Sequence, residues 1–119
     1  MNVNFLTTLD VRDIDNHYWQ LLAPFVVKVD GKLIYVPAGF ITDFASVPRL
    51  PLTFMLFGNI GHRGAVVHDY LYSTGEVSRA EADAIFKALL RAEGVGAFRA
   101  GAMYLGVRIG GAFDYKESA

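Results

Sequence analysis

A histidine and an aspartate stand next to each other in a segment whose other residues are apolar or aromatic. The segment covers residues 65–72 and contains His68 and Asp69. On a helical wheel its apolar side chains point in nearly every direction, which predicts a buried helix. An imidazole or carboxylate that is buried without a partner is costly. We therefore expect another side chain, a metal ion or an open cleft to satisfy His68 and Asp69.

The residues after this segment predict a second helix packed against the first. Residues 73–77 break the apolar pattern, and Ser78 followed by Glu81 is a capping-box signature for a helix start. Two helices joined by so short a loop are antiparallel neighbours. Folding the chain about Gly75 and Glu76 therefore produces a helical hairpin.

This hairpin places His68 opposite Asp83 and Tyr72 opposite Arg79. Tyr72 also lies one turn after His68 on the same helix face. A histidine held by a carboxylate can act as a general base towards water. Asp69 lies about 100° further around the helix, where it can hold a cation beside that water. The pattern predicts His68 as a general base held by Asp83, with Asp69 placed to bind a metal ion.

Structural roles are the alternative for each of these residues. His68 and Asp69 can form a buried polar pair that only stabilises the helix. Asp83 flanks the apolar stripe of its helix, so a solvated or Arg79-paired carboxylate is an equally good interpretation. Tyr72 can be a core residue with a satisfied hydroxyl.

Three further residues are candidate supporting groups. Asp43 follows a predicted strand and by default caps its own loop, although a carboxylate there can also reach the helices. Arg49 follows Pro48 and can bind a phosphate or carboxylate, with Asp43 as the simpler partner. His62 is six residues before His68, which is wrong for a shared helix face. We expect it in the first helical turn rather than at a metal.

The motif His-Asp-x-x-Tyr at 68–72, followed by Ala-Asp-x-x-Phe at 82–86, resembles the active-site hairpin of secreted phospholipases A2 and of the parvovirus capsid phospholipase domain. The resemblance implies that His68 is the base, that Asp69 binds Ca²⁺, and that Tyr72 and Asp83 orient the histidine. It implies a calcium-dependent acyl hydrolase that acts on phospholipid. The family's Tyr-x-Gly-x-Gly calcium loop is not matched by the nearest candidate, Phe-Gly-Asn-Ile-Gly at 57–61.

A longer string resembles a second family. Residues 36–49, Val-Pro-Ala-Gly-Phe-Ile-Thr-Asp-Phe-Ala-Ser-Val-Pro-Arg, are followed in order by the motifs at 68–72 and 82–86. The combination is similar to small proteins encoded by tailed bacteriophages and prophages. This resemblance implies a phage context, with other phage structural proteins as partners and the virion or the host-cell cytoplasm as location. It implies no reaction.

Composition limits the remaining classes. With 119 residues the chain is long enough for a single domain, 1–119, with an apolar core. The absence of cysteine excludes disulfides and thiolate metal sites. A net charge of −1 and the absence of a basic cluster argue against a nucleic-acid partner. The first residues lack the pattern of a signal peptide.

The order of elements predicts an α+β fold in which a small antiparallel sheet, formed by the N-terminal half, packs with the helical hairpin and a C-terminal helix. Strands are expected at 3–10, 18–29, 32–36 and 40–42, with a tight turn at Asp30-Gly31. Residues 98–113 are rich in glycine and alanine, and Gly101, Gly106 and Gly110 are expected to admit another backbone. Arg99 and Arg108 interrupt this stretch, so we predict a core helix and no transmembrane span, with contact at a membrane surface as the alternative.

Two functional hypotheses from different classes follow. The first is a metal-dependent ester hydrolase at the host envelope, with a phospholipase A2-like site. The second is a non-enzymatic phage structural or accessory protein, associated with the tail, in which the His-Asp hairpin is a polar strut.

Overall fold

The computed structural model describes residues 1–15, 18–42, 61–111 and 115. This part of the chain forms six short strands followed by three helices, which confirms the predicted α+β class. The strands are β1 Val3–Phe5, β2 Val11–Asp13, β3 Trp19–Leu21, β4 Phe25–Val29, β5 Lys32–Val36 and β6 Ile41–Thr42. The helices are α1 His62–Thr74, α2 Arg79–Ala92 and α3 Ala97–Gly110.

The described strands form two antiparallel sheets of three strands, where the sequence predicted one sheet. Their orders are β1-β4-β5 and β2-β3-β6. The predicted strand at 18–29 is interrupted before Phe25, so β3 and β4 belong to different sheets. Pro24 stands at this break, and its missing N–H cannot contribute to a strand ladder. The predicted strand at 3–10 is likewise limited to β1, and β2 was not predicted.

The hairpin between β4 and β5 has the predicted turn. Asp30 and Gly31 have φ angles of 49° and 83°, and two positive φ values are what a two-residue hairpin turn requires. The turn sets a register in which Val29 pairs with Lys32 and Phe25 pairs with Val36. Alternate residues of β4 are consequently buried against the helices.

The turn between α1 and α2 also follows the prediction. Gly75 adopts the left-handed conformation, and its N–H donates to the carbonyl of Leu71 at 3.0 Å. The Ser78 hydroxyl accepts from the N–H of Glu81 at 3.1 Å and caps the start of α2. These two caps make α1 and α2 an antiparallel pair.

A carboxylate from another helix caps the N-terminus of α1. Gly61 precedes the helix with φ 90° and provides no side-chain cap. Instead, the Glu93 carboxylate accepts from the N–H groups of Arg63 and Gly64 at 3.0 and 2.9 Å. Burial raises the pKa of Glu93, and the two backbone N–H groups oppose this shift only in part. The contact joins the end of α2 to the start of α1.

The third helix packs on α2 through a stripe of buried residues, Ala100, Met103 and Val107. The predicted close approach at Gly101 is wrong, because a Cβ there would meet nothing within 4 Å. The close approach occurs at Gly111, where a Cβ would lie 2.7 Å from the hydroxyl oxygen of Tyr72. Among the described residues, no helix has the length and apolar character needed to cross a membrane.

Candidate functional site

The carboxylate of Asp83 is the centre of a buried polar cluster between α1, α2 and α3. Asp83 has no exposed surface, and His68 is 1% exposed. His68 Nε2 lies 2.8 Å from Oδ1 of Asp83, so the contact predicted across the helical hairpin is present. The Tyr72 hydroxyl donates to the same oxygen at 2.6 Å. The three predicted catalytic residues therefore lie in direct contact.

The sequence did not predict the cation that completes this cluster. Arg108 of α3 donates from Nη1 to Oδ2 of Asp83 at 2.9 Å. The signal was its place in an otherwise apolar helix, where a guanidinium requires an anionic partner.

Arg79, the alternative partner predicted for Asp83, has a different main role. Its Nη2 donates to the carbonyl of Val107 at 3.0 Å and also to the carbonyl of Arg108. It thereby satisfies carbonyls at the end of α3, which have no partner within their own helix. Arg79 also interacts with Tyr72, as predicted from the hairpin.

Hydrogen bonds within the cluster shift the pKa values of its residues. Burial favours the neutral form of Asp83, but hydrogen bonds from His68, Tyr72 and Arg108 outweigh burial and lower its pKa. Burial, reinforced by the hydrogen bond to Asp83, raises the pKa of Tyr72. The hydrogen bond to Asp83 raises the pKa of Arg108. At neutral pH the cluster thus contains a carboxylate, a neutral phenol and a guanidinium.

The two ring nitrogens of His68 have different environments. The ring packs against those of Tyr72 and Phe86, with centroid distances of 4.1 and 4.8 Å. Nε2 faces Asp83, whereas Nδ1 is buried with no hydrogen-bond partner among the described residues. An ionised carboxylate can only accept a hydrogen bond. Of the two neutral tautomers of this ring, the one with its proton on Nε2 is therefore favoured. The lone pair is then on Nδ1.

Asp69, the predicted metal ligand, is half-buried on α1 immediately after His68. In the described ranges, no three His, Cys, Asp or Glu side chains are grouped so that they could hold a metal ion. Calcium requires six to eight oxygen ligands. The described residues do not by themselves make up such a set, and the Ca²⁺ site stays a prediction.

Of the three predicted supporting residues, the structure describes one, His62. His62 is the first residue of α1, as expected, and burial lowers its pKa. Asp43 and Arg49 lie outside the described residues, as do residues 57–60 of the candidate calcium loop.

A separate open cavity of about 330 Å³ lies between the β4–β5 turn and the start of α2. Leu71, Ile34 and Ile85 are among its apolar lining residues, and Asp30 and Glu76 are among its polar ones. Neither His68 nor Asp83 lines it. The cavity is thus distinct from the buried cluster.

The comparison with protein families gives one match, to a family described as a protein of unknown function (DUF1353). The match covers residues 19–107, from β3 to within α3, and includes His68, Tyr72 and Asp83. No curated protein and no solved structure is significantly similar to the chain. Because the match spans most of the sequence, the chain belongs to the DUF1353 family.

Proposed function

We propose that the protein is an ester hydrolase in which His68 is the general base. The observation that carries this proposal is the asymmetry of the imidazole, with Asp83 at Nε2 and a buried Nδ1 that has no hydrogen-bond partner among the described residues. A buried polar atom without a partner costs about 1 to 3 kcal/mol, so it calls for an explanation. A water molecule or substrate oxygen at Nδ1 would satisfy this nitrogen. A base that activates water needs a carboxylate on one ring nitrogen and a free lone pair on the other.

The reaction follows from this tautomer. Nδ1 accepts a proton from water as the oxygen attacks the ester carbonyl carbon. Asp83 stabilises the resulting imidazolium, and the Tyr72 hydroxyl holds the carboxylate in place. When the tetrahedral intermediate collapses, the carbon–oxygen bond to the alcohol breaks and His68 returns the proton to the leaving oxygen. The products are a carboxylic acid and an alcohol.

Phospholipid is the substrate class that we propose, and a phage is the source. The first rests on the resemblance of the His68, Tyr72 and Asp83 hairpin to phospholipases A2. The second rests on the string at 36–49 and its resemblance to tailed-phage proteins. In a phage, an ester hydrolase of this kind would act at the host envelope. Asp69 would be one ligand of a bound cation, and the chemistry that such a cation would supply is stabilisation of the oxyanion.

The test measures fatty-acid release from phosphatidylcholine and phosphatidylglycerol vesicles, with added calcium and with EDTA. The decisive variant is His68→Gln, because its amide can still donate to Asp83 but cannot act as a base. We expect wild type to release fatty acid and His68→Gln to lose about 10²- to 10⁴-fold of that rate. Tyr70→Phe is the matched control, since it removes a hydroxyl of the same helix that donates to Glu76.

Circular dichroism and thermal melting would establish that His68→Gln is folded. Equal release by wild type and a folded His68→Gln protein would contradict the role of His68. If wild type hydrolyses neither the phospholipid vesicles nor soluble esters, the proposal that the protein is an ester hydrolase is wrong. Equal rates of fatty-acid release in EDTA and in calcium would show that the reaction needs no calcium. The role of His68 as general base would then stand without a metal ion.

The second candidate is a non-enzymatic phage structural or accessory protein, associated with the tail. It is favoured by the hydrogen bonds that converge on Asp83 from two other helices, which suit a rigid strut. In this case wild type is inert and His68→Gln melts at a lower temperature. Detection of the protein in purified virions by mass spectrometry would support this candidate. Its absence from virions would contradict it.

A further inference from the structure

The helix α3 is apolar on two opposite faces, and within the described part of the chain only one of them is buried. Ala100, Met103 and Val107 are buried. At about 100° per residue the opposite side carries Phe98, Leu105 and Ile109, which we call the outer face of α3. These side chains are 83%, 58% and 83% exposed. A helix that is apolar on both sides normally has a partner on each of them.

The charges of α3 are arranged around this outer face. The helix contains no Asp or Glu, and its two charged residues are Arg99 and Arg108. Measured as rotation about the helix axis, Arg99 lies about 100° from Phe98 and Arg108 about 80° from it in the opposite direction. Each arginine therefore flanks one side of the outer face. Lys87 of α2 extends the positive charge on the Arg108 side, with its ammonium 5.3 Å from the centre of the Tyr104 ring.

We propose that the outer face of α3 binds the surface of an anionic lipid bilayer, with the helix axis parallel to the membrane plane. An apolar strip flanked by cations is the pattern of helices that lie in this interface. Phe98, Leu105 and Ile109 would enter the acyl boundary while the exposed ammonium of Lys87 remains among the phosphates. Arg108, which is one-third exposed, keeps its contact with Asp83. Such binding goes beyond the proposed hydrolase, because it requires neither His68 nor calcium.

A second copy of the chain fits this face less well. At their exposed fractions, Phe98, Leu105 and Ile109 together present roughly 400 Å² of accessible surface. Two such faces would bury about 800 Å² in total, below the roughly 1,200 Å² of a stable protein interface. A bilayer has no such lower limit, since each inserted apolar side chain contributes separately.

The test is flotation of the full-length protein with vesicles in EDTA, using phosphatidylcholine alone and phosphatidylcholine mixed with phosphatidylglycerol. We expect binding to the mixed vesicles, weaker binding at high salt, and about a tenfold lower partition coefficient in each of Phe98→Ser and Ile109→Ser. Leu33→Ser and Tyr35→Ser are matched controls, because these β5 side chains are 63% and 55% exposed but lie outside the outer face.

The His68→Gln protein should bind these vesicles as wild type does, which separates this proposal from the enzymatic one. No binding of wild type to either vesicle would overturn it. An equal loss in the β5 controls would show that the outer face is not the contact. A wild-type dimer in sedimentation equilibrium that becomes a monomer in Phe98→Ser would instead assign the outer face to a second copy.

Discussion

The Tyr72 hydroxyl donates to Oδ1 of Asp83 at 2.6 Å, the same carboxylate oxygen that His68 approaches. One buried oxygen therefore accepts from two residues of α1, while Oδ2 accepts from Arg108 of α3. Asp83 belongs to α2, so its carboxylate links the three helices. This arrangement makes Asp83 the residue on which the site and the helix packing both depend.

Substitution of Asp83 by alanine should destabilise the protein severely. The change leaves Arg108, Tyr72 and the imidazole without their acceptor, and breaking one side of a buried ionic pair typically costs about 3 to 5 kcal/mol. Urea denaturation followed by circular dichroism measures the free energy of unfolding. Lys87→Ala is the control on the same helix, since the Lys87 side chain is exposed. A similar small loss in both variants would contradict the central role of Asp83.

The stability of the wild type should fall in acid more steeply than that of Asp83→Asn. The pKa of Asp83 is lower in the folded protein than in the unfolded chain. Its contribution is therefore complete above the unfolded pKa of about 3.9 and is lost as the pH falls through the folded pKa. Urea unfolding between pH 6 and pH 2.5 tests this expectation.

Parallel stability curves for wild type and Asp83→Asn would refute the assignment. If the variant does not fold, carbon-detected NMR titration of the wild-type Asp83 carboxyl gives the same information. A titration midpoint at or above the ordinary aspartate value would count against the hydrogen-bonded carboxylate.

Alanine should have opposite effects at two glycines of the C-terminal region. At Gly111 a Cβ would lie 2.7 Å from the Tyr72 hydroxyl oxygen and 3.1 Å from Cε2, so the variant should lose about 1 to 3 kcal/mol. At Gly101 a Cβ would have no neighbour within 4 Å. Because alanine has the higher helix propensity, the free energy of unfolding of this variant should increase by about 0.5 to 1 kcal/mol. Thermal and urea unfolding measure both changes.

The steric conflict at Gly111 can be attributed to Tyr72 by a double-mutant cycle. In a Tyr72→Phe background, the loss caused by Gly111→Ala should be smaller, because the nearest clashing atom has been removed. Strictly additive losses would mean that the two residues are not coupled.

Removal of the Glu93 carboxylate should weaken the start of α1. Glu93→Ala leaves the N–H groups of Arg63 and Gly64 without their acceptors, and lost helix caps cost about 0.5 to 2 kcal/mol. Glu93→Gln keeps a carbonyl acceptor, so at pH 5 its free energy of unfolding should fall by less than that of Glu93→Ala. Hydrogen exchange at the Arg63 and Gly64 amides should accelerate in the alanine variant. Unchanged exchange would contradict the cap.

The pH dependence of Glu93 should have the opposite sign to that of Asp83. Burial raises its folded pKa, so the contribution of its titration is present below the unfolded pKa of about 4.3 and is lost as the pH rises through the folded value. The stability of wild type relative to Glu93→Gln should therefore decrease between pH 4 and pH 7. An increase over this range would be inconsistent with a raised pKa.

Local signals made the helical hairpin and one of its contacts predictable. Gly75, Ser78 and Glu81 determine where α1 ends and α2 begins, and they stand within seven positions of one another. Once the turn is placed, helix geometry brings His68 against Asp83. The positive φ values of Asp30 and Gly31 are likewise a property of two adjacent residues. Turns and helix caps can be predicted from the sequence because the residues that form them are close together in the chain.

The division of residues 18–42 between two sheets could not be read in the same way. The sequence of β3 and β4 is suited to strands throughout, and strand propensity does not identify the partner strand. That β3 pairs with β6 and β4 with β1 is decided by packing of the whole sheet faces. The single sheet that we predicted therefore became two.

The sequence by itself thus determined the α+β class, the hairpin turns and the helix caps near the turn, and it gave the pairing of His68 with Asp83 as one of two interpretations. Only the tertiary structure decided that Arg108 completes the Asp83 cluster, that Glu93 caps α1 and that Gly111 touches Tyr72. These contacts join residues about 25 to 40 positions apart, and their geometry exists only after three helices have packed. No local propensity encodes such contacts, because their energy depends on the burial and orientation that packing creates.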